Sequence, residues 1–157
     1  PAETDAPADR EEPAAAAPEN KNPTEMPGSW GGSADVSITI GTEPGLEYDV
    51  ESIEVPAGAT VALTFNNDDD MVHNLVVVNP GTATPVGQAA MGMGLDGPEK
   101  AYVPESDDVL YHTTLLQPET TETIYFTAPS EPGEYQYVCT FPGHYKTMRG
   151  IMNVVSR

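Results

Sequence analysis

From Ala34 onward the chain is a succession of short β-branched or aromatic runs, each cut off by Gly, Pro, Asn or Asp. That texture is the spacing of an all-β sandwich. Strands are expected over residues 36–40, 50–55, 60–65, 74–78, 109–116, 121–127, 133–139 and 150–155. Eight short strands in about 120 residues predict an eight-stranded Greek-key β-sandwich or barrel. Val61, Leu63 and Phe65 alternate with polar neighbours and are expected to share one face, and Tyr135, Tyr137 and Cys139 to face away from Gln136 and Val138. The total of 14 Gly and 16 Pro, with aromatics at 7%, agrees with a turn-rich β domain. Residues 79–108 break the pattern with Gly81, Gly87, Gly92, Gly94, Gly97 and a small Ala/Met cluster. They read as a loop excursion with one helical turn near residues 88–91.

The first 33 residues contain no Val, Ile or Leu, but hold six prolines, seven alanines and seven acidic residues. Such a segment buries too little apolar surface to offset the entropy of ordering, so residues 1–33 are expected to form a disordered arm and residues 34–157 the folded domain. A Pro/Ala/Glu-rich arm is extended and semi-rigid. It suits a tether holding the domain off a membrane; an ordinary loose terminus is the competing reading.

Charge and cysteine count exclude several function classes. With 25 Asp plus Glu against 6 Lys plus Arg, the net charge of −19 is the wrong sign for neutralising nucleic-acid phosphates or anionic lipid surfaces. No apolar stretch approaches the roughly 20 residues of a spanning helix. Cys139 stands alone, which excludes an intrachain disulfide, a Cys-x-x-Cys redox pair and a copper pair bridged by two thiolates from one chain.

The chemistry concentrates near the C-terminus, in Cys139-Thr-Phe-Pro-Gly-His144-Tyr-Lys-Thr-Met148-Arg-Gly150. A thiolate, an imidazole and a thioether within ten residues form a soft-ligand cluster. Cys139 ends a strand, Pro142 and Gly143 turn the chain, and His144 and Met148 return to the same end. A trigonal copper site needs a second imidazole. His73 supplies it from the start of the 74–78 strand, just after the acidic turn that ends at Asp70. The expected cofactor is one copper ion of the mononuclear type 1 kind, with His73, Cys139 and His144 in a plane and Met148 as the long axial ligand. Met152, inside the last strand, reads as core, and His112, with no soft ligand beside it, as structural.

These residues resemble the cupredoxins, in particular azurin and auracyanin. Cys139 to His144 followed by Met148, a basic residue and Gly150 is similar to the azurin copper loop. Met71-Val-His73-Asn74 resembles the upstream ligand segment of both, and His144-Tyr145 is auracyanin-like. The resemblance spans about 120 residues, Ala34 to Arg157, and implies the cupredoxin fold. Azurins carry Gly before the first His, with its carbonyl as a distant axial contact; Val72 stands there in this chain and leaves that fifth contact open. The azurin disulfide and buried Trp are also missing, since Trp30 lies in the arm. By its family counterpart, Asn74 is expected to cross-link the two ligand segments. A loop N–H, at Phe141, is expected to donate to the Cys139 sulfur and raise the potential.

The function expected is one-electron transfer between redox partners of a respiratory or photosynthetic chain, through the outer edge of His144. Partners would be redox proteins such as c-type cytochromes or a terminal oxidase, with no small-molecule substrate and no nucleic acid. Met71, Met91, Met93 and Phe141 are candidates for an apolar docking apron, with Lys146 and Arg149 as a local reversal of charge. The acidic surface, Asp68-Asp69-Asp70 included, suits either a basic partner or a high-salt habitat. A monomer outside the cytoplasm is expected, in the periplasm or on the outer membrane face. An oxidase or nitrite reductase would need a further copper centre, and only His112 is left to build one. A copper storage or delivery module is the alternative, disfavoured by a ligand set that looks preorganised and retentive.

Overall fold

Alternation becomes burial where the strands form. The structure, a computed structural model, describes residues 20–157. Its strands in chain order are β1 (Val36–Ile40), β2 (Thr42–Glu43), β3 (Glu47–Tyr48), β4 (Ser52–Pro56), β5 (Thr60–Asn67), β6 (Val76–Val78), β7 (Val109–His112), β8 (Thr120–Thr127), β9 (Gly133–Val138) and β10 (Arg149–Val155), with helix α1 (Ala83–Met91) between β6 and β7. All eight expected strands are present. The hairpin of β2 and β3 is additional, and two residues per strand is too short to register as a sequence pattern.

One sheet has the order β4-β10-β9-β6-β7 and the other β1-β5-β8. β10 runs parallel to β4 and β1 parallel to β5, while the remaining neighbours are antiparallel. Between the sheets lie Ile40, Val61, Leu63, Phe65, Ile124 and Phe126 from one side and Val55, Val77, Tyr137, Cys139, Met152 and Val154 from the other. Met152 is core, as expected.

A second cluster, Val76, Val78, Ala83, Val86, Val109, Val138 and Tyr145, lies on the opposite face of the larger sheet, under α1. Tyr135, Tyr137 and Cys139 face away from Val138, as expected, and Val138 is as buried on its own face as Tyr137 and Cys139 are on theirs. The cause is α1, longer than the single turn expected. Gly87 reads as a loop signal in the sequence, and Pro85 does not interrupt the helix, because a proline in the first helical turn sacrifices no internal hydrogen bond. Gly87 lies flat against Tyr145, where a Cβ would overlap the ring.

β6 and β7 are shorter than expected because their ends leave the ladder. His73 and Leu116 form an isolated bridge, and the Thr113 amide donates to the Leu75 carbonyl at 2.9 Å.

Residues 20–33, assigned by composition to the arm, lie against the domain, while residues 1–19 fall outside the described residues. The His112 amide donates to the Lys21 carbonyl at 2.7 Å, the Asn22 side-chain amide to the His112 carbonyl at 2.7 Å, and the Tyr125 amide to the Pro23 carbonyl at 2.8 Å. Trp30 meets Tyr125 edge-on at 6.2 Å. This strap needs no aliphatic residues, since its attachment is chiefly backbone-directed and joins one edge strand of each sheet, β7 and β8.

Candidate metal centre

The loop between β9 and β10 is shaped by its own backbone. The His144 amide donates to the Phe141 carbonyl at 3.0 Å and Gly143 has φ +88°, the geometry that Phe-Pro-Gly-His favours as a type II turn. The Met148 amide then donates to the His144 carbonyl at 2.9 Å, and the Cys139 amide to the Met148 carbonyl at 3.0 Å. The loop is thereby closed at its base. Met148 is fully buried.

His73 arrives from the opposite segment, its amide donating to the Leu116 carbonyl and its carbonyl accepting from the Leu116 amide. Cys139 Sγ lies 3.8 Å from His73 Nδ1 and 3.7 Å from His144 Nδ1, and the three donor atoms all fall within 4.8 Å of one another. All three residues are buried. Burial pushes the Cys139 thiol up to about 11, against the pull of the Asn74 and Phe141 backbone N–H groups that face the sulfur. Burial likewise lowers the His144 imidazole, and nearby His73 lowers it further. This pocket by itself favours a neutral thiol, so a thiolate there requires a compensating cation. One sulfur and two imidazole nitrogens, with no carboxylate among them, are soft donors that suit copper rather than a hard ion.

Phe141 and Asn74 both lie beside the sulfur. Phe141 directs its N–H at the sulfur, joined by the N–H of Asn74, which sequence reasoning did not single out. The Asn74 side chain cross-links the ligand segments: Oδ1 accepts from the Thr140 amide at 2.9 Å, and Nδ2 donates to Thr140 Oγ1 at 2.9 Å and to the Ala101 carbonyl at 2.8 Å. Tyr48, also unforeseen, donates to the Asn74 carbonyl at 2.7 Å. Val72 is half-buried immediately before His73.

Around His144, Phe141 packs at 4.9 Å between ring centroids, and Tyr102 stands edge-on to Phe141 at 5.2 Å. Met71 and Met91 are exposed, Met93 is half-buried and Lys146 is exposed. Arg149 Nε donates to the Tyr145 carbonyl at 2.9 Å and Nη2 to Thr84 Oγ1 at 3.0 Å, tying the loop to α1. His112 sits on β7 beneath the strap, away from the ligand cluster, with Nδ1 2.7 Å from the Thr113 carbonyl.

The acidic turn holds the largest surprise. Asp69 Oδ2 is 2.7 Å from His73 Nε2, so this carboxylate faces inward onto a buried imidazole instead of outward. The hydrogen bond from His73 holds the Asp69 carboxyl below the usual carboxylate range. Its only sequence signal is a spacing of four residues, which three adjacent aspartates blur.

A Greek-key sandwich with two imidazole nitrogens and one thiol buried together is the architecture of the cupredoxins, the single-copper class of blue proteins. The model of copper-binding proteins of the plastocyanin/azurin family matches residues 34–155, and the chain belongs to that family. Auracyanin-A of Chloroflexus aurantiacus is 36% identical over 122 residues, which span 76% of this chain and 74% of that protein. Azurin of Pseudomonas fluorescens biotype C is 26% identical over 130 residues, 77% and 99% of the two chains. The crystal structure of dithionite-reduced auracyanin from Roseiflexus castenholzii matches with a TM-score of 0.69 at 35% identity, covering 78% of this chain and 99% of that one. The cofactor is accordingly one copper ion, and the chain is an electron carrier, not an enzyme.

Proposed function

We propose that His73, Cys139 and His144 hold the copper as three close ligands, that Met148 supplies a weaker fourth donor, and that electrons pass singly through the outer edge of His144. The observation carrying this assignment is the approach of both Nδ1 atoms to one buried sulfur. Copper supplies the one-electron couple, Cu(II)/Cu(I). The chain's own residues supply rigidity. Asn74 locks the His73 segment to the Cys139 segment through two side-chain hydrogen bonds to Thr140, and a third to the Ala101 carbonyl steadies it, so the donors need not move when the charge changes. The N–H groups of Phe141 and Asn74 stabilise negative charge on sulfur.

The docking rim is assigned to Met71, Phe141 and Lys146, with Met91 and Met93 as further apolar candidates; the exposure of Met71, Met91 and Lys146 supports the assignment. Arg149 contributes charge from the base of the loop. A small, partly apolar rim fits brief encounters with redox proteins such as c-type cytochromes or a terminal oxidase. The carrier works outside the cytoplasm, with residues 34–157 as the functional domain, residues 20–33 fastened to it and residues 1–19 serving as the spacer to a membrane anchor. Their Pro/Ala/Glu composition supports that spacer role.

The test is the visible absorption spectrum after Cu(II) addition, for the protein and for Cys139→Ser. An intense thiolate-to-copper band that bleaches on reduction and returns on oxidation is expected, with a colourless but folded serine variant. A folded protein binding one equivalent of copper without that band would overturn the ligand assignment and favour storage or delivery.

A further inference from the structure

We infer that Asp69 is a positioning residue for the copper ligand His73: it selects the imidazole form that presents a bare Nδ1 to the site and lowers the reduction potential. The inference rests on the proposed ligation by His73.

The argument starts from how Asp69 is held. Asn67, fully buried at the end of β5, donates through Nδ2 to the Met71 carbonyl at 2.9 Å and the Leu116 carbonyl at 2.8 Å, so one side chain spans the turn and the strand bridged to His73. Its Oδ1 accepts from the Asp69 amide at 3.2 Å. Asp69 Oδ1 in turn accepts from the Asp70 amide at 2.8 Å, leaving Oδ2 for His73 Nε2 at 2.7 Å. Asp68 is engaged elsewhere, accepting from Thr42 Oγ1 at 2.8 Å. Within this run of three aspartates, only Asp69 is aimed at the site.

An ionised carboxylate only accepts, so the hydrogen of that bond belongs to His73 Nε2. Neutral imidazole carries one ring hydrogen, and with it on Nε2 the lone pair of Nδ1 faces Cys139 Sγ, 3.8 Å away. The carboxylate also places a negative charge against a ring with no solvent exposure. A fixed anion behind a ligand favours the higher metal charge, hence Cu(II) over Cu(I), and makes the ring a stronger donor. The two imidazoles are therefore unequal: His73 is backed by a carboxylate, while His144 is packed against Phe141 and left as the exit edge.

Three measurements test this. In the metal-free protein, ¹⁵N NMR of His73 is expected to show hydrogen on Nε2 and none on Nδ1; hydrogen on Nδ1 would overturn the inference without any variant. Asp69→Asn keeps the shape and the acceptor for Asp70 but loses the charge. Its potential is expected to rise by the equivalent of about tenfold weaker preference for Cu(II), about 59 mV for one electron. Asp69→Ala is expected to lose the Nε2–H preference and weaken Zn(II) binding about 10- to 100-fold. A blue wild type with both variants unchanged in potential and Zn(II) affinity would show that Asp69 merely shapes the turn. A wild type that never turns blue would instead refute the ligand assignment, while the ¹⁵N spectrum would still judge the Asp69–His73 contact.

Discussion

Met148 and Leu have similar volumes, so Met148→Leu exchanges a soft sulfur for a methyl-bearing branch in a fully buried position at a cost under about 1.5 kcal/mol. Loss of the thioether removes a weak donor that helps the more highly charged oxidised form most. The variant is expected to stay folded and blue with a raised potential by voltammetry; an unchanged potential would mean that Met148 is not a ligand. Cys139, His144 and Met148 were legible because three soft side chains within ten residues are rare by chance, and His73 because trigonal copper needs a second imidazole. Asp69 was illegible for the opposite reason. Three consecutive aspartates read as a solvated turn, and only the anchoring of that turn by buried Asn67 reveals which one points inward.

At the level of elements, the strands were readable because period-two alternation reports burial directly, as in Val61, Leu63 and Phe65. Helix α1 was readable only in its last turn, near residues 88–91, since Gly87 is loop-like in isolation and becomes helical against Tyr145 and β9. The strap was missed because its main-chain hydrogen bonds leave no trace in composition. It places Lys21 close to His112. Burial lowers the His112 imidazole below its ordinary 6.5, Lys21 adds to the effect, and the Thr113 carbonyl and Glu122 oppose it. The unfolded chain thus takes up this proton at higher pH than the folded one. The associated stability is complete above about 6.5 and is lost as pH falls from there toward the lowered value. Between pH 7.5 and 5.5 the wild type is expected to lose more stability in urea than His112→Gln; equal losses would assign the dependence to other groups.

For the molecule as a whole, the net charge of −19 on 157 residues is the dominant long-range force. Like charges oppose compaction, and salt screens them over a Debye length of about 10 Å at 0.1 M. Raising NaCl from 0.01 to 0.5 M is therefore expected to raise the melting temperature; a flat or falling response would mean that local ion pairing outweighs the net repulsion. The same charge keeps copies apart at a distance, but it cannot police contact once two molecules touch. There the strap matters in a second way. β7 and β8 are each an edge strand of their sheet, and free main-chain groups on such strands are templates for a foreign strand. Residues 21–23 already engage the His112 amide and carbonyl and the Tyr125 amide. The chain's own N-terminal segment sits where a neighbour's strand would start to pair, guarding a crowded carrier against fibril-like growth on the β7 and β8 edges of its sheets.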